Sequence, residues 1–272
     1  MDYNKKRTLV TCLVCSIIFI VIFNYDLIPI TTVKLEDVKV LELKDLDGLA
    51  EDDEMLLAFT RQMLVKPSSG PYFLSKPGFY NPEYKYIVEK LKNRRNGFFI
   101  DCGSFDGEDA SVTLPMEMNL NWRGILVEPA PRNLYRLRLK NRKSWILPIC
   151  MSTTTKSTLV SYLDSEMHSK IIDHDRAQSN SYALKTICIP FHTLARAMGV
   201  KKVDFFKLDV QGAEMDILKT IDFNRVTIDA MIIDHYKFNK EEKKEILRFM
   251  EEKGYILLNT TLFDYIYVHK RV

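Results

Sequence analysis

The sequence predicts an α/β domain built on a mostly parallel sheet with an antiparallel edge. Three observations carry this. Short apolar runs at Phe98–Asp101, Gly124–Glu128 and Val203–Asp209 read as strands buried on both faces, and each is closed by an acid. Helical stretches alternate with these runs, which is the pattern of a sheet wound with helices on its faces. The last two strands, Tyr255–Leu258 and Phe263–Val268, are joined by a loop too short for a crossover helix, so they pair antiparallel.

The chain begins with Lys5, Lys6 and Arg7 ahead of an uncharged run from Leu9 to Phe23. Extended to residues 8–30, that run reaches the length of a transmembrane signal anchor, with a cleaved signal peptide as its rival. The flank Asn24–Pro29 shows no small-x-small cleavage site. The basic flank keeps residues 1–7 cytosolic and directs the rest of the chain into the secretory lumen, giving a single-pass type II arrangement. The shortness of the run favours the thin membranes of the endoplasmic reticulum and Golgi, with the endosome as a further station. Residues 31–82 read as a stalk and a helical extension. Thr31–Asp47 lacks strong periodicity, the acids Glu51–Glu54 open a helix over Asp53–Val65, and Pro67–Pro82 is loop, with four prolines and two glycines. Chelation of calcium by Glu51–Glu54 is disfavoured, because consecutive acids at a helix start cannot all face one ion.

The main domain spans residues 83–272. Glu83–Arg95 is a helix with Tyr84, Ile87, Val88 and Leu91 on one face, and Lys90, Lys92, Arg94 and Arg95 solvated near its end. The first strand leads into Asp101-Cys102-Gly103-Ser104-Phe105-Asp106-Gly107, a strand, a glycine turn and then a helix. This is the layout of a nucleotide pocket at the end of a parallel strand, although the third glycine of the dinucleotide fingerprint is missing. Pro115 implies a helix start or kink within Glu108–Leu120. Glu128 ends the second strand, where an acid commonly receives ribose hydroxyls. Arg132–Arg142 is a helix after Pro131, expected to turn Leu134 and Leu137 inward and Arg136, Arg138, Lys140 and Arg142 outward. Trp145–Ile149 is the third strand, Thr153–Tyr162 a hairpin or loop, and Met167–Ala183 a polar insertion suited to a substrate-facing lid. His168, Asp173, His174 and Asp175 within that insertion match no metal motif. Thr186–Pro190 is a short strand, Phe191–Met198 a helix capped by Gly199, and Ala213–Leu218 the helix after the third acid-closed run. Ile228–Ile233 is a further strand, closed by Asp234 and His235. Lys240–Lys253 is an amphipathic helix with Ile246, Leu247 and Met250 inward.

Composition excludes some classes. The net charge is 39 − 36 = +3, too balanced for a dedicated nucleic-acid binder, and the expected lumen disfavours nucleic acid further. Of five cysteines, Cys12 and Cys15 lie in the apolar N-terminal run, and Cys102, Cys150 and Cys188 are expected as small buried hydrophobes rather than a disulfide framework. No metal site is expected. Asn259-Thr260-Thr261 is a glycosylation sequon, usable in a luminal domain.

The motifs at Asp101–Gly107, at Gly124–Pro129 and at Asp209-Val210-Gln211-Gly212-Ala213-Glu214 together resemble the FkbM-type methyltransferases, over roughly Phe98–Lys270. The resemblance implies the Rossmann-like S-adenosylmethionine-dependent methyltransferase fold, with a seven-stranded sheet. Within the family the chain is similar to the animal branch that includes the fly protein Star. The supporting stretches are Phe98–Gly103, Asn121–Gly124, Lys140–Trp145 and Ile189–Phe191. The resemblance implies that Asp101, Gly103, Ser104 and Gly107 hold the amino-acid end of S-adenosylmethionine and that Glu128 holds its ribose. It further implies that Asp209 faces the methyl group and the acceptor. His235, at the end of the next strand, is the candidate base, having a pKa suited to proton transfer near neutrality, although a rim histidine without a role fits equally. Gln211 departs from the family's usual Glu, which puts base catalysis or a metal role there in doubt. Two functions follow: a membrane-anchored O-methyltransferase, or a Star-like non-catalytic factor in vesicle-mediated transport of membrane-protein cargo.

Overall fold

The computed structural model describes residues 42–78, 81–163, 170–172 and 183–272. The anchor expected at residues 8–30, most of the stalk, and His168, Asp173, His174 and Asp175 lie outside them. Among the described residues no helix is long and apolar enough to cross a membrane. Residues from Glu42 to Val272 form one compact unit.

Seven strands form the main sheet: β1 (Phe98–Cys102), β2 (Arg123–Val127), β3 (Trp145–Leu147), β8 (Lys202–Leu208), β9 (Thr227–Asp234), β10 (Tyr255–Thr260) and β11 (Asp264–His269). Their order is β10-β11-β9-β8-β1-β2-β3, and only β11 runs against its neighbours. β1 is central, with Ile100 beside both Ile125 of β2 and Phe206 of β8. The chain winds away from β1 in both directions, so the strand order reverses between β1 and β8. Ligands of open α/β sheets bind at such a point, outside the carboxyl ends of the strands. The expected parallel sheet with an antiparallel edge is therefore present.

The helices are α1 (Glu54–Met63), α2 (Tyr84–Lys90), α3 (Thr113–Leu120), α4 (Pro131–Leu139), α5 (Phe191–Ala197), α6 (Glu214–Thr220) and α7 (Lys240–Glu252). The Asp53 carboxylate caps α1 by accepting from the amides of Met55 and Leu56. Pro115 falls in the first turn of α3, where a missing N–H costs nothing, and this sets the late start of that helix. In α7, Ile246 and Met250 are buried as expected, whereas Leu247 is exposed, because the helix is too lightly covered to hide three successive inward positions.

The second sheet, β4-β7-β5-β6, was not foreseen. It comprises β4 (Cys150–Met151), β5 (Thr158–Leu163), β6 (Lys170–Ile172) and β7 (Ala183–Ile189). The strand expected at Thr186–Pro190 forms here rather than in the main sheet. The hairpin or loop expected over Thr153–Tyr162 becomes β5, paired antiparallel with β7 from Thr158↔Cys188 to Leu163↔Ala183. Cys150 and Cys188 are partners in β4–β7 register and form a disulfide, which corrects the expectation of free core thiols. Cys102 is free and buried.

The N-terminal extension is docked. Leu46 is fully buried, Ser157 donates its hydroxyl to the Leu46 carbonyl, and Thr193 donates to the Glu51 carbonyl. Three cations expected in solvent are also held. Arg94 pairs with Asp204 and Asp229, Lys140 with Glu108, and Arg142, fully buried, with Glu117. The helical repeat that placed Lys140 and Arg142 outward ends at Leu139, so both residues fold back under the glycine turn.

Candidate active site

A cleft opens at the carboxyl ends of β1, β2 and β8, with β5 and β7 of the small sheet as its opposite wall. It opens to solvent and is lined by residues from both sheets. Its lining includes Asp101, Gly103, Ser104, Glu128 and Asp209, so five of the residues singled out in the sequence converge.

The floor is the β1 turn. Gly103 has φ +84°, and a Cβ there would sit 1.8 Å from the Asp209 carbonyl oxygen. Glycine thus lets the ends of β1 and β8 touch. The amides of Gly103 and Ser104 donate to the Val127 carbonyl, and the Asp209 amide donates to the Cys102 carbonyl, which fixes the three strand ends together. Asp101 is buried. Its Oδ2 accepts from the Thr113 hydroxyl at 2.6 Å, while its Oδ1 is buried with no hydrogen-bond partner. An orphaned buried acceptor at a cleft is costly unless a ligand donor fills it.

Glu128 is buried at the end of β2. Its carboxylate accepts from the amides of Phe105 at 3.0 Å and Ala130 at 2.9 Å. The Asn133 side-chain amide also donates to it, at 3.5 Å. Gly107 does not line the cleft. Its Cβ position meets the Leu137 side chain at 2.3 Å, and its carbonyl accepts from Arg142, so it packs the turn onto α4.

At the far end, Lys207 stands across from Asp101 in β-register and donates to Asp209 Oδ2 at 2.9 Å, while Gln211 donates to Asp209 Oδ1 at 2.9 Å. Burial pushes the Asp209 carboxyl up, but the Lys207 ammonium and these hydrogen bonds outweigh it and hold it below the usual range. Burial works to lower Lys207, yet Asp209, Asp101 and Asp264 raise it above an ordinary lysine. Glu214 is pushed up to about 7 by burial, against the amides that bind it. Asp234 is pushed up to about 6 by burial and the Asp209 charge. Burial, with the Glu83 charge, pushes Asp264 to about 8.

His235 is not brought to the cleft. Its ring is buried 4.0 Å from that of Tyr265, and both ring nitrogens lack partners. Burial lowers its pKa. The candidate base is corrected accordingly: the backbone turns after Asp234, and the alternation of β9 sends Asp234 and His235 to opposite faces.

Several site residues were missed by the sequence reading. Lys207 had a signal, since it is a charge inside an apolar strand two residues before Asp209, and therefore on the same face. Val160, Tyr162 and Thr186 had none, because they reach the cleft through the long-range β5–β7 pairing. Tyr162 is anchored by donating to the Pro129 carbonyl at 2.9 Å.

A family model for the methyltransferase FkbM domain matches residues 101–257, more than half of the chain. The chain belongs to the FkbM methyltransferase domain family. The FkbM match runs from Asp101 at the turn of β1 to Leu257 in β10 and so takes in both sheets around the cleft. Among solved structures, the chain is similar to a precorrin-6y C5,15-methyltransferase of Geobacter metallireducens. That likeness has 14% identity and a TM-score of 0.39, covering 72% of this chain and 91% of that one. It is also similar to a human methyltransferase 10 domain containing protein, at 10% identity and TM-score 0.34, over 80% and 98% of the two chains. No curated protein matches the chain significantly.

Proposed function

We propose that the chain is an S-adenosylmethionine-dependent O-methyltransferase, anchored by residues 8–30 with its domain in the secretory lumen. The observation that carries the cofactor assignment is Asp101 Oδ1, buried and without a partner, on a residue that lines the cleft whose floor is the Gly103 turn. An ammonium group is the donor such an oxygen lacks, and the cofactor's amino-acid end carries one. Glu128, oriented by two backbone amides, would receive the ribose hydroxyls, and Ser104 lies between these two contacts. When bound, S-adenosylmethionine supplies a methyl group on a cationic sulfur, so an acceptor oxygen forms the new bond, the C–S pair stays with sulfur and the acceptor proton is released. Asp209, held ionised by Lys207, would stand at the acceptor side and favour positive charge developing there.

Calorimetric titration of S-adenosylhomocysteine tests the assignment. Wild type is expected to bind at micromolar strength, about −8 kcal/mol. Glu128→Gln and Asp101→Asn should each weaken binding about tenfold or more while thermal unfolding stays cooperative. Unchanged affinity in both folded variants would remove the assignment. The Cys150–Cys188 disulfide supports the luminal placement, since such bonds persist in oxidising compartments. A C-terminal tag should resist protease in intact microsomes, and digestion of it would refute the topology.

One observation favours a second reading. Among the described residues, His235 lies outside the cleft and Asp209 is engaged by Lys207 and Gln211, so neither residue singled out for catalysis is free to act as a base there. A Star-like carrier of membrane-protein cargo, binding cofactor without turnover, fits that arrangement. It is separated from the enzyme by whether bound S-adenosylmethionine is ever converted in the presence of secretory-pathway acceptors.

A further inference from the structure

We propose that Asp209, Glu214 and Asp234 bind one divalent, oxygen-seeking cation of the magnesium, manganese or calcium class at the carboxyl ends of β8 and β9. The three residues come from different elements: the end of β8, the start of α6 and the end of β9. Each offers one carboxylate oxygen, and the three oxygens lie within 4.8 Å of one another. A cation about 2.1–2.6 Å from each ligand brings oxygens about 3–5 Å apart, neighbouring positions at the short end and opposite ones at the long end, with waters completing the shell. Gln211 removed the carboxylate that the sequence led one to look for at this turn. Glu214, three residues on, and Asp234, at the end of β9, supply two in its place.

A second observation points to the same ligand. Asp264 starts β11 directly across from Asp234 in antiparallel register, so the two side chains share a face. Asp264 is 8% exposed, and among the described residues no hydrogen bond or ion pair reaches its carboxylate. It adds a further unpaired acid to a group whose ion-paired ammonium among the described residues, Lys207, is already bound to Asp209, while the Lys237 charge acts on Asp234 only through space. Buried carboxylates in excess of their cations call for a positive ligand. Asp209 lines the open cleft, which gives an ion its entry path. There the ion would lie beside the acceptor, where a Lewis acid lowers the pKa of a bound hydroxyl enough for water to take its proton. That consequence rests on the transferase reading, whereas the binding itself does not.

The test titrates Mn²⁺ into the full-length protein, without cofactor, reading free Mn²⁺ by electron paramagnetic resonance, with Mg²⁺ and Ca²⁺ as competitors. One saturable site per chain is expected, with a dissociation constant of about 10⁻⁵ to 10⁻³ M. Asp234→Asn and Glu214→Gln should each weaken it about tenfold or more, in samples whose thermal unfolding shows them folded. Absence of a saturable site in wild type would overturn the proposal, as would unchanged affinity in either folded variant. Titrating S-adenosylhomocysteine into the same metal-free samples keeps the readings apart. Nucleoside binding without Mn²⁺ binding sinks only the cation site, and the converse sinks only the cofactor assignment.

Discussion

Replacing Arg142 by Met removes a guanidinium whose side chain is fully buried and whose three nitrogens are all used. Nε donates to Glu117 at 3.1 Å, Nη2 donates to the Thr113 hydroxyl at 3.2 Å, and Nη1 donates to the Gly107 carbonyl. Glu117 is equally buried and also accepts from the Lys143 amide at 2.7 Å and the Ser144 hydroxyl at 2.5 Å. Losing one partner of such a pair costs about 3–5 kcal/mol, because the other is left as an uncompensated buried charge. The Lys143 and Ser144 donors stay with Glu117, which places Arg142→Met near the lower end, about 3–4 kcal/mol. At about 2–4 °C per kcal/mol for a domain of this size, the melting temperature should fall by about 6–16 °C. Glu117→Gln should cost a similar amount. The double variant removes both charges and should lose about 2 kcal/mol less than the sum of the singles. Urea unfolding of all four proteins measures the cycle. Additivity to within about 0.5 kcal/mol would refute the claim that these residues act as a pair beneath the glycine turn.

The disulfide closes a loop across a sequence separation of 38, worth about 3–4 kcal/mol in the chain-entropy account. Peptide mapping without reductant should recover a Cys150–Cys188 crosslink, and two alkylated thiols would contradict it. Cys150 also lines the cleft, so reduction should weaken S-adenosylhomocysteine binding along with stability. His192 is buried and its Nε2 accepts from the Asp222 amide at 2.8 Å, which keeps the ring neutral. Burial, then the Arg225 charge, lowers its pKa. Its stabilising contribution is therefore full above about pH 6.5, where the unfolded state is also neutral. It is lost as pH falls, because the unfolded chain then binds the proton that the folded state refuses. Between pH 6.5 and 5 this adds a slope of up to about 1.4 kcal/mol per pH unit. His192→Gln should flatten that slope in urea titrations, and an unchanged slope would exclude the assignment.

The central strands were legible because a strand buried on both faces needs a largely apolar run; Phe98–Ile100 and Gly124–Val127 supply unbroken ones, and Val203–Leu208 one interrupted by Asp204 and Lys207. The acids that close them mark where the sheet meets solvent, which is why Asp101, Glu128 and Asp209 were found before their geometry was known. The second sheet was not legible. β5 carries Thr158, Ser161 and Tyr162 among its apolar residues, and its partner β7 begins twenty residues after it ends, so no local pattern announces the pairing. The disulfide followed from that same unseen register. Lys140 and Arg142 were misread because helical periodicity was carried past the end of α4. His235 was misread because adjacency in sequence to Asp234 means opposite faces in a strand. Asp264 was invisible as a site residue, since only the β11–β9 register sets it beside Asp234, whereas Glu214 lay in the same motif as Asp209 but was given no role there.

Asp101, the Gly103 turn and Glu128 would together order a nucleoside-sulfonium ligand in the cleft. A crystal structure of the protein grown with S-adenosylhomocysteine tests this most directly. The ligand's amino group is expected on Asp101 Oδ1, its ribose hydroxyls on Glu128 and its base against the wall that carries Tyr162. A folded protein crystallised at saturating ligand with the cleft bare, or with the ligand bound away from Asp101 and Glu128, would contradict it.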